Sequence, residues 1–175
     1  MRKVLKIVLA ALFIALDVIA SLFLTIPVSP FLKIGFAFLP LSMAGMLLGP
    51  WFGGAVGASS DVLQCILVAR GALIPGITLD MFLSGALYGF LLYRKKPSVL
   101  RCLIAASANE LVIGGLLTTF WLYLAFPGQT FLALFLTRIV KSLIMTPVET
   151  AMMYGMWQLA GRTKGISQYL STDKQ

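Results

Sequence analysis

Six long apolar stretches, interrupted by proline, glycine and short charged runs, account for most of this chain: residues 4–25, 35–49, 51–68, 76–93, 101–124 and 131–160. A helix that crosses the hydrocarbon core of a membrane needs roughly 20 apolar residues, a requirement relaxed by tilt or by burial among neighbours. Lipid offers no hydrogen-bond partner to backbone amides, so such stretches satisfy their own backbone as helices. Pro27 and Pro30 break the first connection, Gly49-Pro50 forms a tight turn after the short second stretch, and Pro75-Gly76, Pro97 and Pro127-Gly128 break the others. No connection is long enough to separate two domains. The pattern predicts one all-α integral membrane domain over residues 1–175, with six transmembrane helices and a short tail at about 161–175.

Composition closes off the soluble alternatives. Only 11% of the 175 residues are charged and 59% are hydrophobic, whereas soluble domains carry about 25% charged residues. The chain has no histidine, which excludes a histidine base, nucleophile or metal ligand. Cys65 and Cys102 are isolated in apolar surroundings, so neither a disulfide framework nor a zinc cluster is expected. Asp17 interrupts the first apolar run and no small-residue cleavage site follows, so a cleaved signal peptide is not expected.

The net charge of +8 reads as topology. With the N-terminus in the cytoplasm, the inner segments hold Arg2, Lys3, Lys6, Arg94, Lys95, Lys96, Arg101, Arg162, Lys164 and Lys174, and the outer loops hold only Lys33 and Arg70. That asymmetry follows the positive-inside rule and puts both termini in the cytoplasm. It also removes the reason to expect a nucleic-acid partner, which would need the charges in one stripe.

Five of the six acidic residues fall inside the apolar stretches: Asp17, Asp61, Asp80, Glu110 and Glu149. An ionised group at the bilayer centre costs about 2.5–3.5 kcal/mol on insertion scales, so each needs a partner or a wet cavity. The two readings are a ligand site and a mutual acid–base pair that fastens two helices. Depth separates the residues, at about 1.5 Å per helical residue. Asp80, Gln64, Trp121, Arg138 and Lys141 fall in the outer half and are expected to face a ligand through an outward cavity. Asn109, Glu110 and Glu149 fall in the inner half and are expected to serve structure or coupling, while Asp17 and Asp61 sit near mid-depth. Lys33 and Arg70, on outer loops, are the first cations an incoming anion would meet. Glycines four apart (Gly45/Gly49, Gly53/Gly57 and Gly85/Gly89) and the Ala11/Ala15 pair are the spacing that lets helices approach closely in lipid. No phosphate-binding loop, inverted repeat or catalytic constellation stands out.

Three stretches resemble a known family. They are FLKIGFAFLPLSMAGMLLGPWFGGAVGASSDVL (31–63), IPGITLDMFLSGALYGFLLYRKK (74–96) and FLTRIVKSLIMTPVET (135–150). With Ala11 and Ala15 they make the chain similar to the substrate-binding S components of energy-coupling factor vitamin transporters of the bacterial cell membrane. The second stretch is most similar to the folate-specific members, which typically read Pro-Gly-Phe-Thr-Leu-Ser where this chain has Ile77 and Asp80.

The resemblance implies a multi-pass binding subunit that takes folate from outside and carries no cofactor. It implies partners too: a transmembrane coupling protein and two ATPase subunits that hydrolyse ATP, docked on the Ala11/Ala15 face. In that frame Asp80 or Asn109 reads the pterin ring, Trp121, Phe36 or Phe38 stacks on it, and Arg138, Lys141, Lys33 or Arg70 meets the glutamate carboxylates. Another vitamin or precursor, such as pyridoxine or hydroxymethylpyrimidine, is the alternative ligand. An autonomous channel or carrier is the alternative class.

Overall fold

The computed structural model describes residues 3–29, 32–68, 74–95, 98–126 and 130–162. Among these, helices dominate: α1 (Lys3–Phe23), α2 (Phe38–Leu48), α3 (Pro50–Val68), α4 (Pro75–Leu92), α5 (Val99–Ala108), α6 (Thr118–Ala125) and α7 (Phe131–Arg162). A π-helical segment, Asn109–Leu117, joins α5 to α6, so residues 99–125 form one uninterrupted rod. Among the described residues, four helical spans are long and apolar enough to cross a membrane: Val4–Phe23, Pro75–Leu92, Val99–Ala125 and Phe131–Leu159. Helix α2 has 11 residues and is about 16 Å long at 1.5 Å per residue, half of a hydrocarbon core. Helix α3 has 19 residues but carries glycine, serine, Asp61 and Gln64, which lower its hydropathy.

One element departs from the all-helical expectation. Residues Thr25–Ser29 and Leu32–Gly35 pair as an antiparallel two-stranded hairpin, β1 and β2, with an irregularity between Pro27 and Ser29. The segment contains Thr25, Ile26 and Val28, β-branched residues that suit an extended backbone. Pro27 cannot donate to a ladder and is tolerated on a two-stranded edge.

Local chemistry explains the helix ends. Gly49 caps α2 at φ +96°, a conformation that favours glycine. Pro50 then starts α3, where the missing amide is no loss. Pro75 plays the same part for α4. Helices α2, α3 and α4 pack onto one another.

The glycine pairs are where those three helices meet. A Cβ added at Gly45 would lie 2.7 Å from the Gly89 nitrogen, and one at Gly53 would lie 2.6 Å from the Gly85 carbonyl oxygen and 2.8 Å from Gly45 Cα. Backbone therefore touches backbone, as small residues allow in lipid. Around this seam lies a core of Phe13, Phe38, Leu41, Met46, Tyr88, Cys102, Met153 and Trp157. The outward faces of α1 and α7 remain apolar and exposed, with Val8, Leu12, Ile19, Val140, Leu143 and Ile144 among them. In water that surface would be a liability; against lipid or an apolar partner it is compatible with a stable fold.

Candidate functional site

Asp80 is the centre of a polar cluster between α4 and α6. It lies on α4, 2% exposed, one turn beyond Gly76, so both residues face the same way. Trp121 on α6 lies against that face: its indole Nε1 donates to Asp80 Oδ1 at 3.2 Å. A Cβ on Gly76 would run into the Trp121 ring, so glycine is what lets the indole lie flat on the helix. Thr118, one turn before Trp121, donates to Asp80 Oδ2 at 2.7 Å and also lies 3.0 Å from the Ile113 carbonyl. A charge-assisted bond to the carboxylate is the stronger use of its single proton. Trp121 also lines a cavity of about 480 Å³, together with Ile74, Pro75, Gly76, Leu79, Leu124 and Ala125. Its lining is apolar throughout, with Trp121 as the residue that links it to Asp80. Phe120 packs edge-on against Trp121, and Tyr123, Phe131 and Phe135 continue an aromatic row onto α7.

The remaining candidate residues divide among several places. Arg138 donates through Nη1 to the Gly114 carbonyl at 2.9 Å. Lys141 forms an ion pair with Glu110 at 3.1 Å, the helix-fastening reading of an intramembrane charge. Ser142 donates toward the Glu110 carbonyl and carboxylate, each at 3.0 Å. Gln64 bridges α1 and α3, donating to Asp17 at 3.3 Å and accepting from Ser21 at 2.5 Å. Asp61 accepts from Thr78 at 2.6 Å, tying α3 to α4. Asn109 opens the π-helical segment, and its Oδ1 is buried without a hydrogen bond among the described residues. Phe38 belongs to the hydrophobic core, with Phe36 packed against it at a ring separation of 6.3 Å. Lys33 sits on β2 opposite Pro27, and Arg70 lies outside the described residues. Ala11 and Ala15 are exposed on α1.

Two residues at the site escape a reading by charge alone. Thr118 carries no charge, although its position one turn before Trp121 places it on the same helix face. Gly76 reads as half of a Pro-Gly break, and only the packed indole reveals its second role.

Residues 5–156 match the family model described as "ECF transporter, substrate-specific component". The chain belongs to that family. This substrate-specific component is 36% identical, over 99% of its own length and 100% of the relative's, to a protein named folate transporter FolT from Clostridium novyi (strain NT). A protein of the same name from Leuconostoc mesenteroides is 28% identical over 85% of this chain and 82% of its own. Among solved structures, "Crystal structure of FolT bound with folic acid" superposes with a TM-score of 0.80 at 33% identity, covering 87% of this chain and 92% of that one.

Proposed function

We propose that this chain is the high-affinity binding subunit for uptake of folate from the cell exterior, working with a separate ATP-driven module. The observation that carries the reading is Asp80, buried behind the Trp121 indole that lines an apolar cavity, in a chain similar over its full length to a folate transporter. A carboxylate has about four lone-pair directions. Thr118 and Trp121 occupy one on each oxygen, leaving one on each for a ligand with two adjacent N–H groups. A pterin has that edge, and its ring can stack on the Trp121 indole. The dianionic glutamate tail is then assigned to Arg138 and to the outer-loop cations Lys33 and Arg70, with Lys141 held back by Glu110.

The same reading covers topology. Lys6 lies over the Phe52 ring, and Gly49 packs beside Tyr93, so the start of α1 and the end of α4 share one end of the bundle. Lys6, Arg94 and Lys95 lie there, and the positive-inside rule makes that end cytoplasmic. With α2 and α3 counted as membrane-embedded, the chain has six such helices and crosses a bacterial cell membrane with both termini inside. Ala11 and Ala15 provide a flat strip on an exposed apolar helix face, suited to close docking by a transmembrane coupling protein. ATP hydrolysis belongs to two ATPase subunits of that module.

Titration of the purified chain with a vitamin panel tests the ligand. Folates are expected to quench tryptophan emission at nanomolar concentrations, while pyridoxine and hydroxymethylpyrimidine have no effect at a thousandfold excess. A response to one of the latter without a response to folate would reassign the subunit.

A further inference from the structure

Thr118 and Trp121 face Asp80 only because of what precedes them. The π-helical segment Asn109–Leu117 winds more loosely than the otherwise α-helical rod it interrupts, closing i→i+5 rather than i→i+4 bonds. Each residue of an α-helix turns the chain by about 100°. Without the looser winding, α6 would present a different face to α4, and the two donors would leave the carboxylate. Such segments are rare inside α-helices, and bonds from a neighbouring helix bear on whether this one keeps its place.

Helix α7 supplies them at two rungs. The Ser142 hydroxyl lies 3.0 Å from both the carbonyl and the carboxylate of Glu110, which share its single proton, and Arg138 donates to the carbonyl of Gly114 at 2.9 Å. The acceptors are four residues apart on the π-helical segment and the donors four residues apart on α7, running in opposite directions. Lys141 pairs with the other oxygen of the same Glu110 carboxylate at 3.1 Å. Ser142 is 1% exposed, so this hydroxyl has no access to a ligand and no water to satisfy it.

We infer that Ser142 is a positioning residue of the binding site: with Arg138 it holds the π-helical segment and so sets the rotation that turns Thr118 and Trp121 onto Asp80. The inference about ligand affinity rests on the folate reading; the geometric part does not. Its test therefore uses the ligand-free protein first. The Trp121 indole N–H resonance in a ¹H–¹⁵N spectrum reports the bond to Asp80, with Trp51 and Trp157 as internal controls. Asp80→Ala fixes where the resonance lies when that bond is lost.

In Ser142→Ala the Trp121 resonance is expected to move to that position while those of Trp51 and Trp157 hold. Folate affinity is expected to fall at least tenfold. Arg138→Met cuts the second rung and is expected to move the same resonance. A folded variant of either kind that keeps the Trp121 resonance in place overturns the inference. So does failure of both variants to fold, which would make the rungs requirements of the fold as a whole. Should the unaltered protein bind no folate, the ligand assignment fails while the resonance test stands on its own.

Discussion

Asp80→Ala is expected to weaken folate binding at least a hundredfold. The carboxylate would supply two charge-assisted hydrogen bonds to the pterin edge, and hydrogen bonds to charged groups are worth about 1.5–3 kcal/mol each. Two of them amount to about 3 kcal/mol or more, and each 1.4 kcal/mol is about a factor of ten in affinity. The truncation also leaves the Thr118 hydroxyl and the Trp121 indole without their acceptor, so the pocket wall loses its order as well as its ligand contact. Asp80→Asn sharpens the test. It preserves shape but replaces one acceptor oxygen by an NH2 group, which in either amide orientation faces a pterin N–H with the wrong polarity, while the Thr118 hydroxyl can accept from it. It is therefore expected to lose nearly as much affinity as alanine. Equilibrium titration of the purified variants measures both, and unchanged affinity in Asp80→Ala would contradict the pterin assignment.

The second large effect concerns stability. Gly53 sits where α2, α3 and α4 converge, and a Cβ there would meet the backbone of both Gly85 and Gly45 at 2.6–2.8 Å. Ordinary van der Waals contact begins at 3.4 Å, and neither neighbour is a side chain that can swing aside. Gly53→Val adds three carbons to this seam and forces the helices apart. Overpacking typically costs about 1–3 kcal/mol, and a backbone-on-backbone site belongs at the top of that range. In a chain of this size the loss corresponds to a fall of roughly 6–12 °C in melting temperature. Gly155 on α7 is the control, because an added Cβ there has nothing within 4 Å. Gly155→Ala is expected to be neutral or to stabilise by up to about 1 kcal/mol, since glycine is a poor residue inside a helix. Thermal unfolding in detergent, followed by gel filtration, separates the two; equal behaviour would refute the seam.

How legible this was from sequence varied with the physics involved. Membrane helices announce themselves by apolar length, and Pro50 and Pro75 mark the starts of α3 and α4 because proline fits a first helical turn. The glycine seam was readable because spacing of four puts small residues on one face. Asp80 and Trp121 stood out for a different reason: an acid inside an apolar stretch requires a partner. The charge argument did not say which acid pairs with which base. Lys141, grouped with the outer residues by depth, bonds Glu110 of the inner group, because a long side chain reaches across more than one turn. The hairpin was hidden because strands of 5 and 4 residues beside prolines look like a simple break. The π-helical segment left no trace at all. A π-helical stretch changes the rotation of a rod without changing its hydropathy, yet that rotation decides which side chains face Asp80.

Uptake by reconstituted vesicles tests the central claim most directly. Vesicles containing this chain together with its coupling protein and two ATPase subunits are expected to accumulate folate when ATP is supplied. Vesicles with this chain alone are expected to bind folate at the membrane and accumulate none. Accumulation by the chain alone, driven by a proton gradient and indifferent to ATP, would contradict the account and make the protein an autonomous carrier.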